Sequence, residues 1–400
     1  MILPALNISE HNKHNFYKRM QKIGVIGGGQ LAWMMGKEAT NLGLSLLIQT
    51  PSLNDPAVAI ASETIIAKID DAQATAALGK KCDVITFENE FIDLAALLPI
   101  SEKLASQGVF FRPSLQVLAP LLDKYDQLTF LKKLGLPTPR FSDNCNDFTN
   151  HFPCVVKTRR HGYDGYGTFI IKNPADLSIV LDNLGDRPLV WQEFINFTQE
   201  LAIIACRSVR GEIKIYPIVE TQQKNQVCHR VIAPAYIPPA VVMEAEAIAT
   251  KILEGLDVVG VLGIELFFTD DGKILVNEIA PRTHNSGHFT LDACITSQFS
   301  QLLRASAGLD LGETNLKSDG AVMVNLLGYE IAENDYAEKR QQLANIPNAH
   351  VWWYGKSQAR PGRKLGHVTV LLTGENAIAI KSQAEAIAQQ IEKIWYSSTK

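Results

Sequence analysis

Four hundred residues, 46% hydrophobic and 20% charged, describe a globular chain long enough for two or three domains. A net charge of −4 without any long run of Lys and Arg argues against nucleic acid as a partner, and no stretch has the roughly 18 uninterrupted apolar residues of a membrane span. The six cysteines share no C-x-x-C spacing, which sets aside zinc sites and disulfide frameworks and points to reduced, mostly buried thiols in a cytoplasmic protein.

Residues 1–20 are polar and aperiodic and lack the apolar core of a signal peptide, so they read as a loose extension such as an upstream start codon leaves. From Gln21, QKIGVIGGGQLAWMMGKEATNLGLSLLIQT predicts a strand, a glycine turn, a helix and a second strand. Gly27, Gly29 and Ala32 match the G-x-G-x-x-A dinucleotide fingerprint, yet Leu47-Ile48-Gln49-Thr50 lacks the acidic residue an NAD site needs there. The turn either binds a mononucleotide phosphate at the helix N-terminus or only lets strand and helix pack closely. CDVITFENE at 82–90 predicts a buried strand with an acidic end. Open α/β sheets bind ligands at strand ends, which makes Glu88 a candidate contact. FRPS at 111–114 closes the first domain.

DKYDQLTFLKKLGLPTP at 123–139 predicts a helix ended by Gly135 and prolines. Lys124 in its first turn is misplaced for the helix dipole, which hints at another role. PCVVKTRRHGYDGYGTFIIKN (153–173) predicts two strands joined by a loop with Gly162, Gly165 and Gly167. Such a loop suits a flexible phosphate cover, with Lys157, last in its strand, as a point charge. LVWQEFINFTQELAIIACR (189–207) predicts a strand, then a connector at Gln192, Glu193, Phe194 and Ile195 able to carry a base and ribose, then a strand beginning near Glu200. Residues 239–256 predict an amphipathic helix.

VLGIELFFT and KILVNEI flank Asp271-Gly272, a strong hairpin-turn dipeptide. With those two residues as the turn, counting outward sets Glu265 opposite Glu278. Like charges so opposed are destabilising unless a cation lies between them, and hard oxygens at that separation suit Mg²⁺. A slipped register would instead send one glutamate to solvent. Arg282, His284, Asn285, Ser286, Gly287 and His288 follow, offering a cation, two imidazoles and amide donors to an anionic reactant. Beyond residue 315, β-rich segments and a closing helix SQAEAIAQQIEKIW surround a basic cluster, Lys356, Arg360, Arg363 and Lys364, at the turn Pro361-Gly362. By itself that cluster reads as a solvated hairpin tip rather than a grip on a phosphate monoester.

Taken in order, the strand-end lysine, the G-x-x-G-x-G cover, the Q-E-x-I connector, the E…N-E hairpin and R-x-H-N-S-G-H resemble the ATP-grasp superfamily. More narrowly, GGGQL, FEN, HGYDGYG, NEIAPRTHNSGH and RPGRKLGH resemble the N5-carboxyaminoimidazole ribonucleotide synthetase family from about Gln21 to the C-terminus. The resemblance implies an α/β and α+β chain: a Rossmann-like pre-ATP-grasp domain at 21–115, an ATP-grasp domain at 116–315 with a mobile lid at about 152–195, and a small β-rich C-terminal domain at 316–400. It implies a homodimer that uses ATP, Mg²⁺ (or Mn²⁺) and bicarbonate to carboxylate 5-aminoimidazole ribonucleotide through carboxyphosphate, in purine biosynthesis.

By residue match, the resemblance implies that Lys124 and Lys157 contact ATP phosphates and that Gly162, Tyr163, Asp164, Gly165, Tyr166, Gly167 and Thr168 cover them. Gln192, Glu193, Phe194 and Ile195 would hold adenine, Glu200 the ribose, and Gln223 and Asn277 would lie beside the nucleotide. Glu265 and Glu278 would bind the metal. Gly29, Gln30, Leu31, Asn285, Arg363 and Lys364 would surround the ribonucleotide, with Arg282, His284, Tyr163, Glu88 and Lys356 as the catalytic set. The basic C-terminal turn thereby becomes a phosphate grip.

Three positions depart from the family pattern: Tyr166 where Arg is common, Gln192 where Glu is usual, and Gln223 where His commonly contacts nucleotide. The first removes a cation near the carboxyphosphate and keeps a catalytically weakened nucleotide-binding regulator in view. Another ATP-grasp ligase, such as the formate-using glycinamide ribonucleotide transformylase, is the nearest enzymatic rival. A nicotinamide oxidoreductase comes last, for want of the acidic residue after the second strand.

Overall fold

A computed structural model describes residues 21–148, 151–160, 162 and 167–397. The expected extension at 1–20 lies outside the described residues. Five strands open the chain: β1 (Lys22–Ile26), β2 (Ser45–Thr50), β3 (Glu63–Ile66), β4 (Val84–Phe87) and β5 (Phe110–Phe111). They form a parallel sheet in the order β3-β2-β1-β4-β5. β1, β2 and β4 are apolar runs buried on both faces, as parallel strands covered by helices must be. Ligand-facing turns therefore gather at the carboxyl ends of β1 and β4, beside the helix Gln30–Leu42.

Four strands form the lid sheet: β6 (Phe141–Ser142), β7 (Cys154–Thr158), β8 (Thr168–Ile171) and β9 (Leu189–Glu193), ordered β6-β9-β7-β8 and wholly antiparallel. Phe148, Val156, Ile171, Leu184 and Trp191 give it an apolar core of its own. Lys157 stands one residue before the end of β7, not at it.

The remaining strands build one antiparallel sheet: β10 (Phe197–Arg207), β11 (Ile213–Ile215), β12 (Val219–Lys224), β13 (Val227–Ala233), β14 (Gly260–Thr269), β15 (Ile274–Ala280), β16 (Gly320–Leu327), β17 (Ala349–Trp353) and β18 (Lys364–Leu372). β10 starts at Phe197, ahead of the expected Glu200, because Phe197 pairs with Thr269 and stacks on Phe267. The C-terminal strands extend this sheet rather than forming one of their own, since β16 pairs with β13. The helix Pro239–Leu256 matches its predicted span, whereas the closing helix begins at Ala377, where the Asn376 side chain accepts from the Ala379 N–H at 2.9 Å.

A single apolar cluster runs through the seam between the first sheet and the large one. Ile23, Val25, Met34 and Met35 share it with Ile204, Val261, Phe299, Leu302, Met323 and Tyr354. Burial across that seam holds the strand ends of one sheet against the face of the other. All six cysteines are free, with Cys82, Cys154, Cys206 and Cys294 buried. Among the described residues no helix is long and apolar enough to cross a membrane.

One side chain of the helix Lys124–Lys133 bonds the outer edge of β15 as a strand would. Gln127 is 3% exposed; its amide oxygen accepts from the Ile279 N–H at 2.7 Å and its amide nitrogen donates to the Ile279 carbonyl at 2.9 Å. The side chain thus supplies both ladder bonds of a missing strand. Gln127→Leu leaves two buried backbone groups unpaired and should lower unfolding free energy by about 2–5 kcal/mol. Denaturant unfolding checks this, and a change under about 0.5 kcal/mol would contradict it.

Candidate active site

The β14–β15 hairpin carries the chemical centre. Its register does pair Glu265 with Glu278, but by a route different from the one expected. The turn is not the two-residue Asp271-Gly272. Thr269 bonds Lys273 across a three-residue loop in which Gly272 takes φ +80°, shifting the pairs near the turn by one. A bulge between the pairs Glu265/Glu278 and Leu266/Val276 leaves Asn277 as the extra residue and restores the expected facing. The bulge brings Asn277 in beside the carboxylates, where its amide nitrogen lies 3.4 Å from Glu265 Oε2.

Two lysines converge on this pair from other elements. Lys124 is the first residue of its helix, after Asp123 as N-cap, and its Nζ lies 2.5 Å from Glu278 Oε1, which accounts for a cation misplaced for the dipole. Lys157 Nζ reaches from the lid to donate to Asn277 Oδ1 at 2.9 Å. Burial, then the charges of Glu278 and Glu200, pushes the Glu265 carboxyl up. Burial acts the same way on Glu278, but Lys124 and Lys157 outweigh it and hold that carboxyl below the usual range. One partner thus stays charged while the other resists ionisation, the state of a carboxylate pair that a divalent cation relieves. Two facing carboxylates are a hard-oxygen donor set of the kind that Mg²⁺ accepts together with phosphate oxygens.

Of the residues expected beside the nucleotide, Glu200 and Gln223 adjoin this centre. Glu200, its carboxyl raised by burial, bonds Gln223, which lines the same cavity as Gly162 and Thr168. Gln192 is buried at the end of β9, Glu193 Oε1 accepts from the Arg140 N–H at 2.7 Å, and Phe194 and Ile195 are half-buried beyond them. Gly167 takes φ +84°, and a Cβ there would lie 2.4 Å from Thr158 Oγ1. Tyr163, Asp164, Gly165 and Tyr166 lie outside the described residues.

That cavity, of about 310 Å³, is lined further by Gln30, Leu31, Glu88, Glu265, Arg282, His284, Asn285, His288 and Lys364, among others. The glycine turn here receives a carboxylate of the chain itself: Glu88 accepts from the N–H groups of Gly29 (3.0 Å) and Leu31 (3.3 Å) at the helix N-terminus. A Cβ at Gly29 would lie 2.3 Å from Glu88 Oε1, so the glycines make room for Glu88. Burial raises the Glu88 carboxyl despite those two bonds.

Arg282 is gripped by Glu90, with Nε at 2.6 Å from Oε2 and Nη2 at 3.1 Å from Oε1, while Nη1 donates to the Thr283 carbonyl. Glu90 sits in the predicted FENE segment yet was not singled out there; only the fold shows that its partner lies 192 residues on. His284 Nδ1 accepts from the Ser286 N–H at 3.4 Å, which places the ring proton on Nε2, 3.4 Å from Glu265 Oε1. Asn285 is locked in a reciprocal amide pair with Asn325.

The C-terminal basic cluster divides. Lys364 is buried and lines the cavity; Lys356 does not line it but braces Gln30, which does, at 2.6 Å. Arg363 turns back to the Gln358 carbonyl and Arg360 is exposed, so neither lines the cavity.

A palm of antiparallel strands, a lid with its strand lysine and facing hairpin carboxylates define an ATP-grasp ligase. Residues 129–299 match the ATP-grasp domain family, 20–119 the ribonucleotide synthetase preATP-grasp domain, and 321–381 the phosphoribosylaminoimidazole carboxylase C-terminal domain. The chain is 53% identical over 383 residues to an N5-carboxyaminoimidazole ribonucleotide synthase of Synechococcus elongatus, covering 94% of this chain and 96% of that one. The solved Thermotoga maritima synthetase is 39% identical with a TM-score of 0.81, over 94% of this chain and 98% of that one. An Aspergillus clavatus synthase, solved with ADP and 5-aminoimidazole ribonucleotide, is 31% identical with a TM-score of 0.83, over 95% and 99%. The chain belongs to the N5-carboxyaminoimidazole ribonucleotide synthase family.

Burial, then the neighbouring Lys124 charge, pulls the Lys157 amine down to about 8, against the opposing pull of Glu278, Glu265 and Glu200. A polyphosphate favours the charged amine and raises its proton affinity again. ADP binding at pH 8.5 should therefore take up protons, and calorimetry in two buffers of different ionisation enthalpy measures this. Lys157→Met should remove the uptake and weaken ADP about 10- to 100-fold; equal heats in both buffers for the unaltered protein would contradict it.

Proposed function

We propose that the protein joins a carboxyl group to the exocyclic amine of 5-aminoimidazole ribonucleotide at the expense of ATP, in purine biosynthesis. One observation carries the reading: Arg282, His284 and Glu88 line one cavity with the facing carboxylates Glu265 and Glu278. We infer further that the carbon comes from bicarbonate and that Glu265 and Glu278 hold Mg²⁺ or Mn²⁺. The domain division at 21–115, 116–315 and 316–400, the homodimer and the cytoplasmic setting rest on the family resemblance.

Bicarbonate is a poor electrophile, so an oxygen of it first attacks the γ-phosphorus, ADP leaves and carboxyphosphate forms. Such a transfer is mainly a matter of in-line positioning and charge neutralisation. Lys124 and Lys157 supply two cations at that end of the site, and the metal, when bound, would neutralise the transferring phosphoryl group further. The carboxyphosphate C–O bond then breaks to give CO₂ and phosphate. The amine nitrogen attacks the CO₂ carbon and loses a proton.

Arg282 and His284 hold the carboxylating anion. Arg282 has five N–H donors, and three of its bonds to protein fix its plane. The other donors remain for the anion, and His284 contributes its Nε2–H. Glu88, whose proton affinity burial raises, lines the cavity and is placed to take the proton from the amine. The lid, closed over the phosphates, keeps water from the carboxyphosphate.

Phosphate release from Mg·ATP and bicarbonate should depend on 5-aminoimidazole ribonucleotide and yield an acid-labile carbamate. Turnover with formate and glycinamide ribonucleotide instead would contradict the reading. Arg282→Ala should lower kcat/KM for carboxylation by about 10²- to 10³-fold; unchanged kinetics would remove that residue from the anion site.

A further inference from the structure

Arg282, the cation set against the carboxylating anion, does not meet the cavity with its charge unanswered. Glu90, three residues past the end of β4, accepts from its Nε at 2.6 Å and its Nη2 at 3.1 Å, and both residues line the 310 Å³ cavity. The pair is largely shielded from solvent, with side-chain exposures of 18% for Arg282 and 20% for Glu90. Water therefore screens it little, and a ligand beside it feels both charges at close range.

Two carboxylates of the cavity are held ionised by a cation of their own. Burial pushes the Glu90 carboxyl up, but the charge and hydrogen bonds of Arg282 outweigh it and hold it below the usual range, as Lys124 and Lys157 do for Glu278. Glu88 and Glu265 are shifted the other way by burial. Arg282 is thus a donor whose charge is matched before any ligand arrives. Three of its N–H groups are committed, two to Glu90 and one to the Thr283 carbonyl at 3.1 Å, and the others remain for a ligand.

A matched charge changes which anion the guanidinium prefers. The proposed reaction consumes bicarbonate and releases phosphate into the same volume, so the anion site must take one oxyanion in the presence of the other. They differ in charge: bicarbonate is a monoanion, and phosphate above neutral pH is mainly a dianion. An isolated guanidinium would hold the dianion more tightly, because at about 6 Å and an effective dielectric of about 20 each unit of charge changes affinity by about 10- to 100-fold. A guanidinium paired to a carboxylate offers hydrogen bonds of fixed direction with little net attraction. That favours the ion with less charge to desolvate.

We propose that Glu90 is the specificity-determining residue of the anion site: its carboxylate fixes the Arg282 guanidinium and cancels its charge, so that a singly charged oxyanion binds and the phosphate dianion formed by turnover is turned away. The proposal rests on the reading that Arg282 holds the carboxylating anion.

Initial rates of the full chain with Mg·ATP and 5-aminoimidazole ribonucleotide, with bicarbonate varied at several fixed phosphate concentrations, measure the ratio of the competitive phosphate Ki to the bicarbonate KM. Substitutions at Glu90 then separate charge from shape. Glu90→Gln removes the charge at constant size and should lower the ratio about 10-fold or more, with kcat falling as phosphate leaves more slowly; Glu90→Met, also uncharged and of similar size, should do the same. Glu90→Asp keeps the charge on a shorter arm and should leave the ratio within about 2-fold while kcat falls. An unchanged ratio in Glu90→Gln and Glu90→Met overturns the proposal. So does a ratio lowered alike by Glu90→Gln and Glu90→Asp, the result expected of a residue that only braces the fold. Arg282→Ala separates the proposal from the reading beneath it. If that variant loses carboxylation while the ratio in Glu90→Gln stays unchanged, the proposal alone falls; if it carboxylates as the unaltered protein does, the anion site lies elsewhere and the proposal falls with that reading.

Discussion

Two glutamates facing each other across a hairpin are the constraint around which the rest of the chain is arranged. Glu265 and Glu278 are opposed in a buried ladder, where like charges repel and desolvation penalises each of them. Every nearby element answers that repulsion. The helix Lys124–Lys133, docked through Gln127, delivers Lys124 to Glu278; β7 delivers Lys157 to Asn277; the turn after β15 delivers His284 to Glu265. A helix and a strand more than a hundred residues before the hairpin meet it where two carboxylates must be neutralised.

The same convergence explains why the site lies where sheets meet. Arg282 leaves the end of β15 and is held by Glu90 from the end of β4, while Lys356 reaches from the C-terminal strands to Gln30 at the first helix. An apolar cluster shared by the first and large sheets holds these strand ends in place. Charges converging from separate sheets are matched to a reaction that needs nucleotide, a small anion and an amine in one water-poor volume.

The sequence made much of this legible, and one success came partly by cancellation. Facing glutamates were expected from a two-residue turn, but the loop has three residues and only the bulge at Asn277 restores the facing. A bulge leaves no mark in the alternation of apolar residues, so neither error was visible. The place of Glu88 at a strand end beside the glycine turn was legible because open parallel sheets gather their turns there. Glu90 was not, because its meaning depends on Arg282 far along the chain. Gln127 and Gln298 carry no mark in the sequence, because each acts on a backbone segment that only the fold brings beside it, Ile279 and His284. The basic C-terminal turn read as one cluster, but the bend at Pro361-Gly362 sends Lys364 inward and leaves Arg360 outside.

The central claim is that the opposed glutamates form a divalent-cation site completed by nucleotide phosphates. Electron paramagnetic resonance of Mn²⁺, titrated into the protein with and without ADP, tests it most directly. Free Mn²⁺ signal should disappear into a tight site only when ADP is present, and Glu278→Gln should abolish that site while the protein stays folded. An Mn²⁺ affinity unaffected by Glu278→Gln in the ADP complex would contradict the account.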